Sequence, residues 1–188
     1  MSAIRTFIAV ELSEVVRAQL SDVTERLQQG LSGIRWVAAK NLHLTFKFLG
    51  DVETEKLERV LSTVQDTAKG FAPFTLSFSG LGAFPNMRRP RVVWVGVETG
   101  TEELAGIHKA IETALLQIGF PKDDETFRPH LTVGRVKSKK RIRGVEEILS
   151  QTAAQLDAMT VDHIAVIKSD LTPDGPIYTA MGRYDLSG

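Results

Sequence analysis

Cysteine is absent from the 188 residues, which excludes disulfides, thiolate metal sites and thiol nucleophiles together. An excess of charge of either sign is missing too. The 23 Lys and Arg equal the 23 Asp and Glu, so no polyelectrolyte field draws the chain to a long duplex. Any contact with nucleic acid has to come from a local patch, and a small or end-bound nucleotide fits the balance better. No apolar run reaches a membrane-spanning length. The opening MSAIRTFIAVELSE has an apolar stretch too short for a secretion signal and lacks a small-residue cleavage site, so a cytoplasmic location is expected. No GxxxxGK sequence exists, and Gly80-Leu81-Gly82 lacks the third glycine and the following helix of a dinucleotide loop.

What is present is a short pattern written twice. His43-Leu44-Thr45-Phe46 and His130-Leu131-Thr132-Val133 are both HxTx, one in each half of the chain. In an extended strand alternate side chains share a face, so His and Thr at i and i+2 project together. Around the first copy, strict alternation puts Leu42, Leu44, Phe46 and Phe48 on one face and His43, Thr45 and Lys47 on the other. The first set is expected in the core and the second in a cleft. The other two histidines, His108 and His163, have no Thr partner and are read as structural.

The element pattern alternates helices with runs of strand. Ile4 to Leu12 reads as a strand, Ser13 as a helix N-cap, and Glu14 to Gln29 as a helix. Leu42 to Leu49 is expected to be a strand ended by Gly50 and Asp51. The spacing of Val52, Leu57, Val60, Leu61 and Val64 predicts a helix over Glu53 to Lys69. Phe74 to Leu81 and Arg91 to Glu98 read as extended, Thr101 to Ile118 as a helix with a Leu and Ile stripe, and His130 to Val136 as the second HxTx strand. Gly144 to Leu156 is expected to be helical. Strands at Val161 to Ser169 and Pro176 to Tyr184 flank the turn Thr172-Pro173-Asp174-Gly175. The whole is an α+β protein, a single domain over residues 1–188 made of two lobes. It is expected to be a bilobal, pseudo-symmetric duplication: two largely antiparallel sheets face a central cleft, helices lie outside, and each sheet brings one HxTx strand. A monomer is expected.

The chain resembles the two-histidine phosphoesterase superfamily, and within it the RNA 2′,3′-cyclic phosphodiesterases, also called 2′-5′ RNA ligases. Besides the paired motifs, the resemblance rests on Arg5-Thr6-Phe7-Ile8-Ala9-Val10, on Asn41 to Gly50, on Phe84-Pro85 ahead of Arg91 to Gly96, and on Phe127 to Arg135. It implies hydrolysis of 2′,3′-cyclic phosphate at RNA ends to a 2′-phosphomonoester, with no metal and no other cofactor. It also implies that His43 is the proton donor and His130 the proton acceptor.

Those roles match what ring opening needs: a water deprotonated on one side of phosphorus and a leaving alkoxide protonated on the other. Thr45 and Thr132 are candidates to hold the non-bridging oxygens. Arg135 is a candidate phosphate clamp by resemblance, although strand parity puts it opposite His130 unless Gly134 introduces a bulge. Two basic clusters, Arg88-Arg89-Pro90-Arg91 and Lys137 to Arg143, are candidate RNA backbone contacts or merely solvated loops. Phe84 and Trp94 are candidates for base stacking, with core packing favoured for Trp94. Two other functions use the same residues: joining a 2′,3′-cyclic end to a 5′-hydroxyl, and binding RNA without turnover.

Overall fold

The computed structural model describes residues 2–137 and 142–188. Among the described residues nine strands form two antiparallel sheets, accompanied by four α-helices. In chain order they are β1 (Ala3–Glu11), α1 (Glu14–Gly30), β2 (Ile34–Trp36), β3 (His43–Glu53), α2 (Thr54–Ala68), β4 (Phe74–Phe84), β5 (Val92–Thr99), α3 (Thr101–Leu116), β6 (His130–Val136), α4 (Val145–Gln151), β7 (Gln155–Val161), β8 (His163–Thr172) and β9 (Gly175–Asp185). One sheet has the order β3-β1-β8-β9 and the other β2-β6-β5-β4-β7. Each carries one HxTx strand.

The two sheets have corresponding plans, with β1 matching β5 and β3 matching β6. In both cases the helix after the inner strand crosses over. Helix α1 follows β1 of the first sheet but packs on β7 of the second, while α3 follows β5 of the second and packs on β3 of the first. Helices α2 and α4 return to the sheets they came from. The lobes are therefore not the two halves of the chain, since each sheet draws strands from both halves.

Burial explains why these segments adopt these forms. Val16, Leu20, Val23 and Leu27 recur at helical spacing on α1 and are all buried, and the Ser13 hydroxyl accepts the Val16 N–H as the N-cap. On α3 the same role falls to Leu104, Ile107, Ile111 and Leu115. The main core runs continuously from Ile8 and Val10 through Leu44 and Phe46 to Val93, Val95, Leu131 and Val133. A smaller cluster of Phe7, Ala9, Ala165 and Ile167 lies on the opposite face of the first sheet, with Tyr178 against it.

The structure departs from three expectations. The helix expected over Gly144 to Leu156 stops at Gln151, and Gln155–Val161 is an edge strand paired with β4. Val52 belongs to β3, which runs past Gly50 to Glu53, so α2 starts at Thr54. Strict alternation along β3 also fails. Ile8 pairs with Lys47 but Ala9 with Thr45, so Phe46 is an extra residue in a β-bulge. Past it the faces exchange: Lys47 is buried on the core side, while Phe48 turns outward and is 58% exposed.

Candidate active site

Strand β6 carries the same irregularity at the same motif position. Val93 pairs with Gly134 and Trp94 with Thr132, which leaves Val133 as the extra residue. In both motifs the bulge therefore falls on the fourth residue of HxTx. On β6 its effect is to return Arg135 to the face of His130 and Thr132, overcoming the parity that opposed it. Gly134 serves a different need from a bend. A Cβ there would lie 2.7 Å from the Ile34 side chain and 2.9 Å from the Trp36 ring, so only glycine lets β2 lie this close.

The two imidazoles are anchored alike. His43 Nδ1 lies 2.7 Å from the Asn41 carbonyl oxygen, and His130 Nδ1 lies 2.6 Å from that of Arg128. A carbonyl only accepts, so each Nδ1 carries the hydrogen and each Nε2 is left for a ligand. Aromatic rings wedge both. The Phe7 and Tyr178 rings lie 4.6 and 5.2 Å from that of His43, and the Phe84 ring lies edge-on to His130 at 4.9 Å. Trp94 packs over Gly82, where a Cβ would come within 2.2 Å of its ring.

Strands β3 and β6 approach each other, and His43, Thr45, His130, Thr132 and Arg135 all line one groove of about 970 Å³. Burial is the main reason that His43 holds its proton weakly, with a pKa lowered to about 4; Arg135 and Arg17 add repulsion. Burial also lowers the His130 pKa, and Arg135 again contributes. One guanidinium thus acts on both rings. Burial thus favours the neutral form of both histidines, where ordinary imidazoles with a pKa of about 6.5 would each be partly protonated near neutrality.

Sequence reasoning put Lys47 in the cleft beside His43 and Thr45 but missed its partners and other groove residues. Lys47, displaced to the core side by the bulge, pairs there with Glu112 of α3 and with Asp123 at 2.8 Å. Burial alone pulls its pKa down, but Asp123 and Glu112 outweigh that and raise it. Glu112 also accepts the Asp123 backbone N–H, so this ion triad ties down the segment that leads to Arg128 and His130. His108, Glu112 and Asp123 have the geometry of a cation site, and the Lys47 ammonium supplies a positive charge there. His108 stacks on Phe127 at 4.1 Å and forms part of the groove wall. His163 lies outside the groove, bonded to Glu11 and Asp162, and Arg183 also grips Glu11. Arg5 and Phe7 reach the groove because they share parity along β1 with Ala9 and Glu11, the cross-strand partners of Thr45 and His43.

Of the basic clusters, Arg88 and Arg143 come together away from the histidines, in a separate depression of about 660 Å³ that also contains Glu146 and Glu147. Residues 138–141 of the second cluster lie outside the described residues. Among the described residues no helix is long and apolar enough to cross a membrane.

A family model described as the 2′-5′ RNA ligase superfamily matches residues 9–173, a span that holds both HxTx strands and both bulges. The chain belongs to this superfamily. A superfamily relative from Methanothermobacter thermautotrophicus, named RNA 2′,3′-cyclic phosphodiesterase, is 37% identical over 184 residues, covering 97% of this chain and 99% of its own. Among solved structures, TT0787 of Thermus thermophilus matches with a TM-score of 0.84 and 29% identity, over 98% of this chain and 99% of that one. The apo form of E. coli LigT matches with a TM-score of 0.77 and 26% identity over the full length of both. The 2′-5′ RNA ligase superfamily thus accounts for most of the chain in sequence and for its fold.

Proposed function

We propose that this protein hydrolyses the 2′,3′-cyclic phosphate of RNA ends to a 2′-phosphomonoester, with His43 and His130 as acid and base. The observation that carries the proposal is the pair of matched imidazoles, each with its Nδ1–H held by a carbonyl and each on a different sheet, lining one groove with Thr45, Thr132 and Arg135. The names of the full-length relatives support the substrate class.

The reaction follows from these groups. Water adds to phosphorus and gives its proton to His130 Nε2. The P–O3′ bond breaks as protonated His43 Nε2 donates to the departing oxygen. Each transfer is worth about 10²–10⁴ in rate. Thr45 and Thr132 donate their hydroxyls to the non-bridging oxygens, and Arg135 balances the charge that gathers on them. Burial, with a smaller contribution from Arg135, favours the neutral form of both rings before substrate arrives. The bound phosphate anion offsets the Arg135 charge and allows His43 to take up its proton. No step calls for a metal, and activity is expected to persist in EDTA.

RNA with a labelled 2′,3′-cyclic end tests the assignment. Conversion to an RNA 2′-phosphate end is expected, with His43→Ala and His130→Ala each losing at least about 10²-fold in kcat/KM while Tm stays close to that of the parent protein. A ligated product would favour end joining, and retention without conversion would favour a binding module.

A further inference from the structure

The groove continues past the histidines along the first sheet, and nothing in the hydrolytic step uses that extension. Strand β1 presents Arg5 and Phe7 there, β3 presents Phe48, and the β8–β9 hairpin presents Leu171 and Tyr178. Phe48 is the residue that the first bulge turned outward. Its ring lies 5.6 Å from that of Phe7, which lies 4.6 Å from His43. Leu171, on the same groove face, is 69% exposed. Two large apolar side chains left open to water in a groove make a stacking platform rather than a core.

Arg5 supplies the complementary chemistry. It is exposed and makes no ion pair or side-chain hydrogen bond among the described residues, although Asp51 stands directly across the strand pair. Its charge and that of Arg135 both act on the Tyr178 hydroxyl, where burial nonetheless keeps the pKa raised. Both arginines also line the groove with Tyr178. Ala9 is the cross-strand partner of Thr45, and Arg5 is four residues further along, about 14 Å of strand. The long arginine side chain shortens that to the reach of a neighbouring phosphate.

We propose that Arg5 and Phe48 form a subsite for the nucleotide preceding the cyclic end, with Arg5 pairing its internucleotide phosphate and Phe48 stacking on its base. The preferred substrate is then the end of an RNA strand rather than a free cyclic mononucleotide. This rests on the hydrolytic reading above, which turnover of a cyclic mononucleotide tests separately. Contacts of this kind grip a single strand by phosphate charge and base face, and a strand end needs only one or two of them. The overall charge balance agrees.

The test compares kcat/KM for a dinucleotide and a mononucleotide that both carry a 2′,3′-cyclic phosphate, in the parent protein and in Arg5→Gln and Phe48→Ala. The parent is expected to favour the dinucleotide by roughly tenfold or more, and each variant to cut that ratio by about five- to tenfold. A parent ratio near one, or equal losses on both substrates, would overturn the subsite. Calorimetry on the matching 2′-phosphate products makes the same comparison without turnover: a dinucleotide that binds no more tightly than a mononucleotide also sinks it.

Discussion

His43 owes its chemistry to its surroundings. Buried against Phe7 and Tyr178 and facing Arg135, it titrates near 4 in the free protein. NMR titration of the ring is expected to give that value, and to show it rising when phosphate or a nucleotide product binds. Arg135→Gln should raise the pKa of both His43 and His130, because the guanidinium opposes protonation of each. The same depression affects stability. An unfolded histidine titrates near 6.5, so the contribution of His43 is fully present above about pH 6.5 and is lost as pH falls towards 4. Urea midpoints for His43→Gln should fall less steeply through that window than those of the parent. In kinetics, kcat/KM reports the free protein and its optimum is expected on the acid side of 6.5, with the kcat profile displaced upward by the bound anion.

Lys47 illustrates the opposite use of a charge. It and Glu112 are both buried, so Lys47→Met leaves a carboxylate without its partner, and a loss of about 3–5 kcal/mol is expected by chemical denaturation. Pairing it with Glu112→Leu should recover most of that loss, since the one charge still without its partner in the double variant, that of Asp123, is half exposed to water.

Along the strands, the alternating pattern locates both HxTx segments, because His, Leu and Thr keep strict parity over three residues. It fails one residue later at each site, because a bulge is set by the pairing partner and leaves no mark in the strand's own composition. That is why Lys47 and Phe48 exchange faces and why parity alone leaves the position of Arg135 undecided. The edge strand β7 is hidden for a related reason. Leu149 and Leu156 lie at helical spacing, and only the vacant edge of β4 draws Gln155–Val161 into a sheet. Hydrophobic periodicity does find α1, α2 and α3, because each buries one stripe. Gly134→Ala tests the second bulge. The added methyl must displace Ile34 or Trp36, at an expected cost of about 1–3 kcal/mol, together with a drop in kcat as Arg135 shifts.

Taken whole, the molecule is neutral, and its groove holds Arg5, Lys122, Arg128 and Arg135 alongside Asp123, Asp124 and Glu125. A strand end touching two of these cations should show a shallow salt dependence, with a slope near −1.4 in log kcat/KM against log salt, from about −0.7 per phosphate on single strands. A slope several times steeper would mean a long backbone track that the groove does not offer. The paired HxTx motifs make the two-sheet plan visible from the residues alone. The exchange of strands and helices between sheets is not visible there, because it depends on contacts between segments far apart in the chain.

That exchange also decides when the protein becomes competent during its synthesis. Strand β1 leaves the ribosome before its partner β8, which follows about 150 residues later, so the sheet holding His43 stays open on one side until then. A nascent chain that already contains both histidines but lacks β8 has no finished groove. A chain released before β8 is therefore expected to show no cyclic phosphodiesterase activity.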